Sequence, residues 1–439
     1  MHSANPPLKL LRSHRTSPRG KRFPSATDCL VLCVLLAILP RSATASSRIA
    51  VSTDIPSGNA ANVRVTDEAA TTTVRFTPHP HGGPECLWFC FRMKHLETAG
   101  KENALNDSSP AQEHLKVVLE CPGNTLGGGQ LAHFRPVFRL ANQDWQRAGA
   151  PKIIQLADGR REAAWSFRMP ADFMDIALSY PYDREHLDKL IEETAGFWRA
   201  DTIGVSQGGR PILRLSNDYG ARNGKRPGFY LLARQHSGEV SGSWVLDGVL
   251  RRFAEMGKEA PMVWVAPLAN IDGVEQGDYG KDNFPYDLNR AWGSPPMRHE
   301  VLVLQRDMRL FAGRCRFSGG VDFHSPGGTE AAGMYAFISK SIQAPEVSST
   351  STNLAAAIGE AMGGEFAAKN FVRTADYKSR WETPRFGNFC QDELNAPGIS
   401  IETPYALIEG RALTREDYQQ AGRRIADVLA AFPETPATR

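Results

Sequence analysis

The chain has 439 residues, 41% of them hydrophobic and 23% charged, with a formal net charge of +3. That length leaves room for two domains and a sizeable core, and the ordinary balance of apolar and charged residues excludes a largely disordered or fibrous protein. The basicity sits at the start: residues 1–45 hold seven Lys/Arg and one Asp, and without them 44 basic residues face 47 acidic ones, a net −3, which argues against nucleic-acid binding.

Lys9, Arg12, Arg15, Arg19, Lys21 and Arg22 precede an apolar run from Cys29 to Leu39, which ends at Pro40 and the small residues Ala43-Thr-Ala45. This pattern predicts a signal peptide over residues 1–45, cleaved near Ala45, and a secreted or periplasmic product. The run is too short to span a bilayer comfortably, so no stable membrane insertion is expected after cleavage. Cys86, Cys90, Cys121, Cys315 and Cys390 remain, an odd number at irregular spacing that is no disulfide framework. Buried free thiols fit best, with one bridge to Cys121 left open.

After a polar stretch to about Ala70, short apolar runs over 73–76, 86–93, 115–119, 134–140, 152–156 and 163–169 alternate with Gly, Pro, Asn and Asp. They predict antiparallel strands of an all-β sandwich over residues 46–180. Asp183 then looks like an N-cap, with Leu187, Leu190 and Ile191 along one helical side. From about residue 200, strand-like runs at 211–215, 229–233, 262–267, 320–323, 334–338 and 399–401 alternate with helical stretches at 241–256, 299–314, 352–362 and 414–432. Buried strands between helices predict an α/β domain over 181–433, with a mixed, mostly parallel sheet covered on both faces; 434–439 is a tail. Ser206-Gln-Gly-Gly209 reads as a hairpin turn, since no nucleophile elbow surrounds the serine.

The chemistry concentrates in Arg234-Gln-His-Ser-Gly-Glu239 and Asp322-Phe-His324. Two imidazoles and one carboxylate are what a catalytic zinc needs, because three protein ligands leave one position open. His236 follows the apolar run 229–233 and His324 ends the run 320–323, so both fall at strand C-termini, where open α/β sheets form crevices. Glu402 emerges from the apolar Gly398-Ile-Ser-Ile401, and a buried carboxylate there has its pKa raised toward neutrality, which suits a general base. Asp322, two residues before His324 on a strand, points to the same side and is a candidate acceptor for its ring N–H.

With Asn270-Ile-Asp-Gly273, Asp287-Leu-Asn-Arg290 and Ile401-Glu402-Thr403 in the same order, the chain resembles the zinc carboxypeptidase superfamily of the carboxypeptidase A type, and within it the cytosolic carboxypeptidase-like branch. The resemblance implies one zinc per chain held by His236, Glu239 and His324, Asp287 as the acceptor that orients His236, and a zinc-bound water activated by Glu402. It implies that Asn289 and Arg290 grip a terminal carboxylate, for which a guanidinium offers two parallel donors. Tyr377 matches the tyrosine that closes over the substrate terminus, and Arg385 lies in the stretch that shapes the specificity pocket, where acidic ends or an ordinary solvated arginine fit equally. The branch's carbonyl-polarising arginine is missing after Gly277-Asp-Tyr-Gly280; Lys281 stands one residue later as a point donor.

The expectation is therefore a secreted zinc metallocarboxypeptidase acting on a peptide or peptide-like chain with a free C-terminal carboxylate. A zinc-dependent deacylase of N-acyl amino acids and a non-catalytic carboxylate-binding protein are the alternatives.

Overall fold

The computed structural model describes residues 47–96, 113–124, 129–339, 345–375 and 383–432. Its centre is an eight-stranded mixed sheet, which runs from edge to edge through Arg199–Val205, Pro211–Ser216, Met262–Ala266, Pro227–Ala233, Arg316–His324, Gly398–Glu402, Met334–Ile338 and Ala367–Thr374. The four strands from Met262–Ala266 to Gly398–Glu402 are parallel neighbours, and antiparallel pairings flank them on both sides.

Successive side chains of a strand face opposite ways, and Pro227–Ala233 uses this to feed two cores. Phe229, Leu231 and Ala233 enter one with Val245, Val249 and Ile425, while Tyr230 and Leu232 enter the other with Leu304, Met308 and Phe311. Helices Val240–Met256 and Arg415–Ala431 therefore cover one face and helix His299–Ala312 the other. The first two approach closely because they meet at glycines: a Cβ on Gly248 would lie 2.1 Å from the Gln419 carbonyl oxygen, and one on Gly422 would lie 1.9 Å from that of Val245.

Upstream lie two five-stranded sheets. One joins Ile49–Ser52, Cys90–His95, Phe173–Ala177, Val137–Leu140 and Gln146–Arg147; the other joins Ala61–Glu68, Thr71–Thr77, His114–Glu120, Arg161–Arg168 and Lys152–Gln155. They face each other through aromatic pairs, Phe76 against Phe91 (centroids 4.7 Å apart) and Phe138 against Phe167 (5.0 Å). The same apolar core continues from these sheets into the helix-covered one, so the two architectures form one packed body.

The strands and helices expected from the sequence are present, most with ends moved by a few residues, but the upstream sheets are not wholly antiparallel: Thr71–Thr77 runs parallel to His114–Glu120. Other elements were not expected: the largely buried central strand Phe173–Ala177, the short strands Ile49–Ser52 and Gln146–Arg147, and several that carry little apolar pattern, namely the exposed edge strand Ala61–Glu68, the sheet edges Arg199–Val205 and Ala367–Thr374, and the short helix Ile271–Gln276. An edge strand buries one side at most, so its sequence lacks the signal that marks a central strand. Asp183 caps helix Arg184–Glu193 as expected, accepting from the Glu185 and His186 amides. Ser206 to Gly209 makes the hairpin turn between Arg199–Val205 and Pro211–Ser216. The five cysteines among the described residues are free thiols.

Candidate metal centre and cleft

His236 and His324 come from the C-terminal ends of two adjacent parallel strands, Pro227–Ala233 and Arg316–His324. Glu239 occupies the N-cap of helix Val240–Met256 without bonding its backbone, which leaves the carboxylate free to turn toward the strands. There Oε1 lies 2.9 Å from His236 Nδ1 and Oε2 lies 2.7 Å from His324 Nδ1. The Ser325 amide donates to Oε2 at 3.1 Å. One donor atom from each of the three residues lies within 4.8 Å of the other two, and all three residues are buried.

Each imidazole is held from behind. His236 Nε2 is 3.1 Å from Asp287 Oδ1, and His324 Nε2 is 2.5 Å from Asp322 Oδ2. With each Nε2 engaged by a carboxylate, both Nδ1 atoms are presented to one point, the arrangement that fixes tautomer and raises ligand basicity. Burial opposes the charged His236 ring, but Glu239 and Asp287 overcome it and hold its pKa up to about 9. Burial likewise opposes ionised Glu239, which the two imidazoles nevertheless pull far below the usual carboxylate range. Two nitrogens and a carboxylate, all buried and all aimed inward, fit a zinc ion with a position to spare.

The Asp322 contact extends into a chain. Gln235 Nε2 donates to Asp322 Oδ2 at 2.5 Å, and Trp292 Nε1 donates to Gln235 Oε1 at 2.7 Å. Arg234 braces the same loop: its Nε donates to the Ser237 carbonyl at 2.6 Å and its Nη1 to that of Tyr182 at 2.6 Å. It does so from a left-handed backbone conformation, φ 62°. Gln235, Trp292 and Arg234 had no role in the sequence reading. Gln235 and Trp292 are far apart along the chain, and only the fold joins them; Arg234 opens the ligand motif directly after the apolar run 229–233, where its charge was the available signal.

Glu402 is the register partner of His324 on the adjacent strand, and the Thr403 amide donates to the His324 carbonyl at 3.0 Å. Its Oε2 is buried without a hydrogen-bond partner, although an edge of the residue reaches the cleft. Desolvation pushes its carboxyl up to about 7, against the pull of His324 and Lys281. An ionisable oxygen held so has no structural partner to satisfy and is free for a proton.

One narrow cleft brings together His236, His324, Glu402, Lys281, Asn289, Arg290 and Arg385, with Ser339 and Ser400 among its other walls. Asp287 organises the clamp segment as well as His236, because its Oδ1 also accepts the Asn289 amide at 2.7 Å and its Oδ2 the Asp282 amide at 2.9 Å. Asn289 lines the cleft with its amide already engaged: Oδ1 accepts from Phe386 N at 3.2 Å and Nδ2 lies 3.1 Å from His324 Nε2. Arg290 is buried, with Nη1 donating to the Asn289 carbonyl at 2.9 Å. Arg385 Nη1 donates to the Ala375 carbonyl at 3.1 Å. Tyr377 falls outside the described residues.

This geometry is the one the resemblance implied, and residues 184–313 match the family model described as zinc carboxypeptidase. It is similar to mouse cytosolic carboxypeptidase 6, with 28% identity over 178 residues, 36% of this chain and 33% of that protein. Mouse cytosolic carboxypeptidase 1 is 37% identical over 156 residues, 30% of this chain and 13% of that one. The chain thus spans about a third or less of these relatives' length. In fold it is similar to a metallo-carboxypeptidase from Burkholderia cenocepacia, with a TM-score of 0.66 and 18% identity over 87% of this chain and 97% of that one. A metallo-carboxypeptidase from Pseudomonas aeruginosa gives 0.62 and 18% over 87% and 98%.

The relatives correct the expectation of export. They are named cytosolic carboxypeptidases, which points to a cytosolic setting rather than a secreted or periplasmic one. A basic stretch before a short apolar run resembles an export signal in composition alone, and composition does not show that the segment is read as one. Residues 1–46 lie outside the described residues. No helix among the described residues is long and apolar enough to cross a membrane.

Proposed function

We propose that this protein is a zinc metallocarboxypeptidase that hydrolyses the last amide bond of a peptide or peptide-like chain. The observation that carries this reading is the meeting, in one cleft, of a His236–Glu239–His324 donor set and a buried Glu402 carboxylate with a free oxygen. A zinc ion bound there supplies Lewis-acid polarisation of a water molecule and of the scissile carbonyl.

Glu402 accepts a proton from the attacking water as oxygen adds to the carbonyl carbon, then returns it to the departing amine as the C–N bond breaks. Its raised pKa suits both halves of that task. Lys281 donates to the carbonyl oxygen as negative charge develops there. Arg290 and Asn289 receive the terminal carboxylate, which restricts the enzyme to chain ends. Arg385, on the cleft wall beside Ser339 and Ser400, favours acidic terminal residues.

The test is a release screen on zinc-loaded protein, using N-blocked peptides with acidic, basic and apolar C-termini beside simple N-acyl amino acids. Release of single C-terminal residues, fastest for acidic ends, is the expected result. Turnover of N-acyl amino acids alone would replace the peptidase by a deacylase, and zinc binding with no hydrolysis would leave a carboxylate-binding protein.

A further inference from the structure

We propose that the upstream β-region braces the active site from behind, with Asn59 as a positioning residue for Lys281; this rests on the carboxypeptidase reading above. Lys281 rides on an irregular segment. Helix Ile271–Gln276 ends at Gly277 in the left-handed conformation (φ 72°), Gly280 turns the chain again (φ 84°), and the next short helix begins at Leu288.

The upstream region grips this segment along its length. Asn59, only 2% exposed, donates from Nδ2 to the Gly277 carbonyl at 2.7 Å. Its own place is fixed by the His79 amide, which donates to Oδ1 at 2.7 Å, and by a backbone bridge to Cys90. Ser57 Oγ donates to the Val274 carbonyl at 2.9 Å, and a Cβ on Gly277 would lie 2.3 Å from the Gly58 carbonyl oxygen. Further along, His81 Nδ1 is 3.1 Å from Asp278 Oδ1, the Phe284 amide donates to the Gly82 carbonyl at 3.4 Å, and a Cβ on Gly83 would lie 2.0 Å from Asn283 Oδ1.

The other side of the segment leans on the metal-ligand loop. The Gly238 amide donates to the Tyr279 carbonyl at 2.9 Å and Ser237 Oγ to the Asp278 carbonyl at 3.0 Å. A Cβ on Gly280 would lie 2.6 Å from the Ser237 amide nitrogen. The lysine's backbone is thus held between the upstream sheets and the loop that carries His236 and Glu239. A lysine needs this support because its ammonium is a point charge on a flexible stem, without the planar fork that lets an arginine find its own geometry.

Kinetics of Asn59→Ala, Lys281→Met and the double variant, all zinc-loaded and assayed on an N-blocked peptide ending in glutamate, test the proposal. Lys281→Met is expected to lower kcat on the order of 100-fold, as loss of an oxyanion donor does. Asn59→Ala should lower it about 10-fold through misplacement, with KM within about twofold, unchanged zinc content, and no further loss in the Lys281→Met background. Full activity of Asn59→Ala, an equal loss in both backgrounds, or full activity of Lys281→Met would overturn it. Should Asn59→Ala fail to fold, Ser57→Ala enters the same cycle with the same criteria. Amide hydrogen exchange stands apart from turnover: Asn59→Ala should speed exchange over 277–284 and spare 227–233. Unchanged protection at 277–284 would sink the proposal even if the peptidase reading holds, and the expected change would uphold the positioning even if that reading fails.

Discussion

The upstream sheets and the eight-stranded sheet both bury charge, and they do so in opposite ways. Upstream, the buried carboxylates among the described residues have arginine partners: Asp175 lies 2.7 Å from Arg92 and 2.9 Å from Arg139, and Glu162 lies 2.7 Å from Arg75. At the strand ends of the larger sheet, Glu239, Asp287, Asp322 and Glu402 gather round two imidazoles. Buried charge is costly unless compensated. A structural region achieves compensation with fixed arginines, whereas these carboxylates face ring nitrogens that a divalent cation would engage.

The largest expected effect breaks the cleft's side of that contrast. His236→Ala should abolish zinc retention and turnover together, as read by metal analysis after dialysis and by peptide hydrolysis; full zinc content would remove His236 from the ligand set. Glu402→Gln should separate the two, keeping zinc and lowering kcat by about 10²–10⁴-fold. Zinc loss in that variant would make Glu402 a ligand instead of a base.

The pH profile follows from the same carboxyl. Glu402 works ionised, and its pKa is raised to about 7, so kcat/KM should fall as the pH drops through the midpoint. A bound cation favours the ionised form and shifts that midpoint below 7. An acid limb that Glu402→Gln leaves in place would belong to another group. Asp322→Asn acts one step further out: weakening zinc affinity by about 10–100-fold in chelator competition, with little change in the saturated kcat, is expected.

Much of this cleft was legible because its residues break rules that central strands otherwise obey. His236, His324 and Glu402 each interrupt or end an apolar run, and Asp322 lies at a strand spacing of two from His324. Asp287, Asn289 and Arg290 were legible only through the resemblance, since a loop of polar residues carries no signal of its own. The Trp292–Gln235–Asp322 chain was illegible for another reason: its links depend on three-dimensional register, which hydrophobic patterning does not encode. Asn59 was hidden likewise, as a polar residue in a polar stretch whose buried surroundings appear only once Gly277 folds against it. Localisation was misread because composition near the start carried all the weight.

Selectivity gives a smaller effect. Arg385→Ala should reduce the preference for acidic over apolar ends by about tenfold, the size of one charge-assisted contact, measured as a ratio of kcat/KM values. An unchanged ratio would leave Arg385 as a wall that holds the Ala375 carbonyl and nothing more.

The smallest effect sharpens the comparison within the upstream region itself. Val63 stands only four residues from Asn59, on the edge strand Ala61–Glu68, and is 36% exposed. Its side chain belongs to neither apolar core, so Val63→Thr should change stability by no more than about 0.5 kcal/mol and leave kcat where it was. Thermal unfolding and peptide hydrolysis on one preparation read both quantities. A loss of turnover at Val63 comparable to that at Asn59 would mean that the whole sheet, and not the grip on Gly277, governs the cleft. Silence at Val63 beside a loss at Asn59 would confine the upstream region's contribution to the few residues that touch the Lys281 segment.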